Sequence, residues 1–195
     1  MRFTCSLRLL VACLVTTSVS AAEPLPISLR GEIRDADSDQ LLPARLYIQS
    51  ADGAKWFFAK SADLNGSAIV YDRARGETSV EKHTTLPAHP FIAQLPPGKY
   101  TLTVERGKEY LTATQQIEVA DTPVSITIKL KRWINMAERG WYSGDTHVHR
   151  PLAEMPNLVL AEDLNIAFPT TQWVQVSHTL PEKGRVDPDP IPTEP

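Results

Sequence analysis

Two histidines and an aspartate stand at alternate positions in the run Gly144-Asp145-Thr146-His147-Val148-His149-Arg150. If this run is extended, Asp145, His147 and His149 project to the same side, with about 6.5–7 Å between successive positions. Two imidazoles at that spacing can converge on one or two metal ions with a carboxylate beside them, and neutral imidazole suits zinc, iron or related ions. The chain contains 5 histidines, so a His-x-His pair also arises by chance. The alternative is that the two histidines have a structural role without a metal ion, hydrogen-bonded in a core or at a solvent-exposed edge.

The residues around this run predict the elements that would hold such a site. Residues 156–164 favour a short helix, because a proline stands in its first turn and Leu160 and Leu164 lie one turn apart. Residues 165–168 favour the next strand, so a strand, a helix and a strand begin a β/α unit. The segment before the run, residues 132–140, is predicted to be a bridging strand.

Residues 25–131 predict a single β-domain. Its clearest strand, Tyr100-Thr101-Leu102-Thr103-Val104, follows the turn sequence Leu95-Pro96-Pro97-Gly98-Lys99. Leu46 and Ile48 alternate with other side chains in an earlier strand, which is the pattern of a half-buried sheet. Several short strands with regular turn signals and no helical period favour a β-sandwich, and about 105 residues can bury a core without disulfides.

The β-domain offers weaker candidates for chemistry. His83 and His89 lie in residues 82–90, a segment rich in threonine and proline that is predicted to be a loop. We expect both to be solvated loop residues rather than ligands of an adventitious metal ion. The aromatic run Trp56-Phe57-Phe58 could form a carbohydrate platform, but packing in the core of a sandwich is its expected role.

The first 22 residues have the order of a secretory signal peptide. Arg2 and Arg8 precede a short apolar run, which ends in the small residues Ser20-Ala21-Ala22. Cleavage near the end of residues 1–22 predicts an exported protein, periplasmic or extracellular. The alternative is lipoprotein processing at Cys13; both cysteines of the chain, Cys5 and Cys13, lie in this leader.

Composition excludes several classes of protein. The 195-residue chain has 42% hydrophobic and 22% charged residues, a globular composition that rules out a wholly disordered or collagen-like protein. Its net charge of −3 comes without a basic stripe, so a nucleic acid is not an expected partner. No stretch after the leader approaches the roughly 20 apolar residues of a transmembrane helix, and none is predicted.

The β-domain resembles the carboxypeptidase-regulatory-like (transthyretin-like) β-sandwich family. The resemblance is carried by residues 31–35, by Leu42-Pro43-Ala44-Arg45-Leu46 and most strongly by residues 95–104. It implies a sandwich that accompanies a larger catalytic or surface protein and carries no catalysis of its own.

Residues 144–151 resemble the first motif of the polymerase-and-histidinol-phosphatase (PHP) metallohydrolase superfamily. The nearest branch is the exported CehA/McbA-like group, in which an N-terminal β-domain precedes Asp-x-His-x-His. The resemblance implies that His147 and His149 are metal ligands at the first strand of a distorted β/α barrel, and that Asp145 is a ligand or orients one. It also implies a divalent metal (zinc, manganese or iron) whose bound water attacks a small-molecule ester, carbamate or phosphoester.

The chain departs from that superfamily in two respects. The expected Thr-Asp-His motif is replaced by Pro169-Thr170-Thr171-Gln172-Trp173, and His178 could substitute, although we expect it to be a surface residue. Residues 132–180 are too few to close a barrel, and residues 181–195, rich in proline and charge, predict a disordered tail. The sequence therefore predicts an incomplete hydrolase that is inactive as the isolated chain.

Two other functions remain open at this stage. The first is a non-catalytic exported module whose sandwich binds a protein or a glycan, with His147 and His149 as packing or residual features. The second is a lipid-anchored structural protein, which depends on Cys13.

Overall fold

The computed structural model describes residues 25–63, 67–74, 76 and 80–170, and this part of the chain is mainly β. The predicted signal peptide (1–22), His178 and the predicted tail (181–195) lie outside the described residues. Among the described residues, no helix is both long and apolar enough to cross a membrane.

Ten strands of the described residues form two sheets. The four-stranded sheet has the order β10-β1-β7-β4 and consists of β1 (Ile27–Asp35), β4 (Ala59–Ser61), β7 (Phe91–Leu95) and β10 (Val124–Leu130). The six-stranded sheet has the order β5-β6-β2-β8-β9, with β3 paired to β2; its strands are β2 (Ala44–Ser50), β3 (Trp56–Phe57), β5 (Ile69–Ala74), β6 (Val80–Leu86), β8 (Gly98–Glu105) and β9 (Ala113–Val119). The β1–β10 pair is parallel, and the other pairs are antiparallel.

One hydrophobic core lies between the two sheets. Leu29 and Phe91 contribute to it from the four-stranded sheet, and Leu46, Ile48 and Leu102 from the six-stranded sheet. All five are buried, because alternate residues of a strand face the same side and each sheet turns its apolar side inward. The predicted β-sandwich is therefore confirmed.

A strand–helix–strand unit follows the sandwich. It consists of β11 (Gly144–Val148), a short 3-10 helix (Leu152–Glu154), α1 (Met155–Ala161) and β12 (Ile166–Pro169). Strands β11 and β12 pair in parallel, as a helical crossover requires, so the predicted β/α arrangement is confirmed. We call residues 144–169 the β/α unit.

The predicted bridging strand over residues 132–140 is wrong. That segment makes one isolated bridge, between Tyr110 and Arg132, and then turns into a 3-10 helix over Ala137–Arg139. Gly140 ends this helix with a φ of 78°, a left-handed conformation that glycine adopts without steric cost. The local turn bonds from Arg139 to Met136 thus replace pairing with a neighbouring strand.

The β/α unit packs on the outer face of the six-stranded sheet, the side away from the core. Helix α1 contacts β6 and β2, and its residues Met155 and Ala161 are buried. Arg45 of β2 forms an ion pair with Glu162, and Asn157 donates a hydrogen bond to the Ser67 carbonyl (2.6 Å). These contacts cover the β5–β6–β2 side of that face.

Candidate metal centre

The side chains of His147 and His149 meet at the end of β11. Their ring centroids are 4.5 Å apart, and the two Nε2 atoms are separated by 2.6 Å. At that distance the N–H of one ring donates a hydrogen bond to the Nε2 of the other, with the roles set by the tautomers. Both residues are exposed. The two predicted metal ligands are therefore brought together on an accessible surface.

The side chain of Asp145 does not join them, contrary to the expectation that all three residues share one face. Its Oδ1 accepts a hydrogen bond from the backbone N–H of His147 (2.9 Å). The pairing of β11 with β12 shifts register between Asp145 and Val148, and this irregularity breaks the simple alternation of the strand. Among the described residues, no group of three or more His, Cys, Asp or Glu side chains could hold a metal ion.

The two imidazoles nevertheless fit a metal ion after a small adjustment. Zinc–nitrogen bonds of 2.0–2.1 Å at a tetrahedral angle separate two ligand nitrogens by about 3.3 Å. The Nε2 atoms of His147 and His149 would have to move apart by about 0.7 Å to reach this separation. Exposed side chains can make that change by small rotations about χ1 and χ2. The pair can thus offer two ligands, fewer than the three that a catalytic zinc site normally uses.

The pair also lies where parallel β/α folds place their sites. Residue Val148 is the last of β11, and its carbonyl accepts a hydrogen bond from the N–H of Thr170 (2.8 Å) just after β12. His147 and His149 are therefore at the carboxyl end of a parallel strand pair, the edge at which ligands bind in such sheets.

A separate cavity of about 180 Å³ lies between the β/α unit and the six-stranded sheet. Its charged lining combines Arg45 and Arg150 with Glu81, Asp145 and Glu162, and its apolar side is formed by α1. His147 and His149 do not line it. Asp145 therefore lines a cavity that the imidazole pair does not line.

His83 is buried beside this cavity, so its prediction as a solvated loop residue is wrong. It belongs to β6, and only 3% of its surface is exposed. Its ring stacks on Tyr71 (centroids 5.5 Å apart) and lies 5.3 Å from the ring of Tyr47. The β/α unit covers this part of the sheet, and the sequence around His83 does not predict this long-range contact. The β-branched pair Thr84-Thr85, followed by Leu86 and then Pro87, is the signal that could have predicted the strand.

The environment of His83 favours the neutral imidazole. Burial lowers its pKa to about 4, and the positive charges of Arg45 and Arg150 act in the same direction. Glu81 is the facing acid; its Oε1 lies 3.7 Å from Nδ1, and Nδ1 has no hydrogen-bond partner within the described residues. His83 is therefore an uncharged ring in a stack of aromatic side chains.

Stability should consequently fall on mild acidification. The His83 imidazole has a pKa near 6.5 in the unfolded chain and about 4 in the folded chain. The stability that its neutral form contributes is therefore complete above pH 6.5 and is lost as the pH falls towards 4. We expect a loss of about 2 kcal/mol over that window. Urea unfolding at a series of pH values measures it. The variant His83→Phe keeps the ring stack but has no titrating group, so its unfolding free energy should lack this dependence on pH. An equal change of unfolding free energy with pH in both proteins would contradict the prediction.

Comparisons with known proteins define no family. No protein-family model and no curated protein matches the chain. Among solved structures, the minor pilin GBS52 of Streptococcus agalactiae is 16% identical with a TM-score of 0.36, over 58% of this chain and 47% of that one. The pilus 2b backbone protein of group B streptococcus is 16% identical with a TM-score of 0.38, over 60% and 46% of the two chains. The shaft pilin SpaA of Lactobacillus rhamnosus GG is 13% identical with a TM-score of 0.35, over 56% and 48%.

The chain thus aligns with about half the length of these pilins, and the similarity is too low to assign a function. The class of the protein is defined by its own architecture, a β-sandwich followed by a parallel β/α unit. Its distinguishing surface feature is the imidazole pair on that unit.

Proposed function

We propose that this chain is part of an exported metal-dependent hydrolase, in which His147 and His149 bind a divalent metal ion such as zinc, manganese or iron. The observation that carries the proposal is the 2.6 Å approach of the two Nε2 atoms at the carboxyl end of β11. The resemblance of residues 144–151 to the first PHP motif supports the same chemistry and suggests a small ester, carbamate or phosphoester as substrate. The leader at residues 1–22 supports export.

In this proposal His147 and His149 bind the metal ion, and Asp145 orients one of them. A bound divalent ion would supply an activated water and would polarise the scissile group. His147 and His149 hold the ion, and Asp145 fixes the backbone N–H of His147 (2.9 Å), which limits how that residue can turn. Further ligands must come from outside the described residues, because two imidazoles do not complete a catalytic site.

A metal titration tests the proposal directly. Isothermal titration of the untagged protein with Zn²⁺ should give stoichiometric binding, and either His147→Ala or His149→Ala should weaken it at least about tenfold, equal to 1.4 kcal/mol. The matched control is His89→Ala, because His89 is also partly exposed but lies 3.3 Å from Asp63 in the sandwich. Affinity that is unchanged in both substituted proteins, or lost equally in the control, would contradict the proposal.

A second candidate function is a non-catalytic exported binding module. It is favoured by a specific observation, a cavity of about 240 Å³ on the outer face of the six-stranded sheet that the β/α unit does not line. A protein that binds no Zn²⁺ but retains a ligand in this cavity would support the module against the hydrolase.

A further inference from the structure

The cavity on the outer face of the six-stranded sheet is lined by side chains of paired strand residues. Its lining residues are Tyr47 and Gln49 of β2, Trp56 of β3, and Thr101, Thr103 and Glu105 of β8. Gln49 lies directly opposite both Trp56 and Thr101, and Tyr47 lies opposite Thr103. Side chains that are opposite one another in a sheet share a face, so the register holds all the lining groups on one surface.

The aromatic run 56–58 divides between the two faces of this sheet. Phe57 packs against the core, with its ring 5.3 Å from that of Tyr100, as the sequence predicted. Trp56 lines the outer cavity instead, contrary to that prediction. The alternation of the strand separates the two neighbours, because successive side chains point to opposite faces.

The lining groups are arranged for hydrogen bonding beside aromatic rings. The Tyr47 hydroxyl donates to Oε2 of Glu105 (3.1 Å), and Nε2 of Gln49 donates to the Gly53 carbonyl (2.8 Å). These two bonds hold the carboxylate and the amide in place before any ligand arrives. Thr101 also lines the cavity, and its hydroxyl can both donate and accept a hydrogen bond.

The chemistry of the lining restricts the ligand class. The cavity has no lysine or arginine among its lining residues and contains the carboxylate of Glu105, so an anion is disfavoured. A purely apolar ligand would leave the remaining hydrogen-bonding capacity of the hydroxyl, amide and carboxylate groups unused and desolvated, which is costly. Its volume is below the range of about 300–1,000 Å³ that is typical of sites for drug-sized ligands. A small neutral molecule with many hydroxyl groups and an apolar face satisfies all three conditions.

We propose that this cavity binds one neutral hexose unit of a glycan. Trp56 packs against the C–H face of the sugar ring, and Gln49, Thr101 and Glu105 hydrogen-bond to its hydroxyls. The site lies on the sandwich and uses neither His147 nor His149. It therefore goes beyond the metal chemistry proposed above and is independent of it.

Saturation-transfer NMR on the full chain tests this assignment. The probes are the methyl glycosides of glucose, mannose and galactose and N-acetylglucosamine, each at millimolar concentration, with glucuronate as the anionic comparator. At least one neutral sugar should receive saturation, and it should bind at least tenfold more tightly than glucuronate. Trp56→Ala and Thr101→Val should each weaken that binding; the valine variant keeps the shape of the side chain and serves if the alanine variant does not fold.

Two matched controls separate the outcomes. Trp141→Phe alters an exposed tryptophan that does not line the cavity, and it should bind the sugar as the unsubstituted protein does. The pair His147→Ala/His149→Ala should lose Zn²⁺ but keep the sugar, so failure of one proposal is distinguished from failure of the other. The assignment is overturned if no neutral sugar binds, if glucuronate binds better, or if binding is unchanged in Thr101→Val.

Discussion

Replacing Asp163 by alanine is expected to lower the free energy of unfolding by about 3 kcal/mol. This carboxylate joins the β/α unit to the sandwich: Oδ1 accepts from Arg106 and Oδ2 from Arg132, both at 2.8 Å. Its side chain is only 15% exposed, and both guanidinium groups lie over the ring of Tyr110. Removal of the acid leaves two partly desolvated cations without this counter-charge, which costs far more than loss of an exposed pair.

The backbone at Asp163 adds to the effect. Its φ is 53°, in the left-handed region that aspartate and asparagine tolerate better than alanine, a difference of about 1 kcal/mol. Asp163→Asn keeps this tolerance and removes only the charge, so it should cost about 1 kcal/mol less than the alanine variant. Chemical unfolding of both variants measures the two contributions separately.

An exposed ion pair provides the matched control for Asp163. Asp37 pairs with Lys131 near the surface, where both side chains are more than half exposed. Asp37→Asn should therefore change stability by less than about 0.5 kcal/mol. Hydrogen exchange gives the position of the damage: in Asp163→Asn, amides of Gly144–Val148 should lose protection before those of Tyr100–Val104. Two outcomes would contradict the interpretation that Asp163, with Arg106 and Arg132, forms a clamp between the β/α unit and the sandwich. They are uniform exchange across both segments, and equal losses of unfolding free energy in Asp163→Asn and Asp37→Asn.

The second large effect is expected for Gly31→Ala in β1. An added methyl group would lie 2.2 Å from Cζ of Phe91 and within 2.8 Å of two further atoms of that ring. Phe91 is directly opposite Gly31 in β7 and is fully buried, so its ring cannot move aside without opening the core. We expect a loss of about 3 kcal/mol, the upper end of the usual cost of overpacking.

Gly98→Ala is the matched control for Gly31→Ala. Gly98 also lies in a strand, but a methyl group there would meet Tyr100 at 3.6–3.8 Å, ordinary van der Waals distances. This substitution should cost less than about 0.5 kcal/mol. The second control is Phe91→Leu, which should make the alanine at position 31 less harmful, measured as a non-additive double-substitution cycle. Additive effects would contradict the proposed clash.

Local sequence pattern was sufficient for several strands of the sandwich and for the imidazole pair. Leu46 and Ile48 are buried while Tyr47 is not, because alternation in a strand is a property of adjacent residues. The same locality explains why the rings of His147 and His149, two positions apart, come together at the end of β11. The strand–helix–strand order around them followed from proline placement and leucine spacing for the same reason.

Long-range contacts account for what the pattern did not predict. Arg106 and Arg132 meet Asp163 across 57 and 31 residues, so no window of sequence contains the clamp. The burial of His83 and the partition of Trp56 and Phe57 arise only after the β/α unit covers one side of the sheet and β3 pairs with β2. Free energies of such contacts depend on which distant surfaces meet, whereas periodicity reports only which side of its own strand a residue occupies.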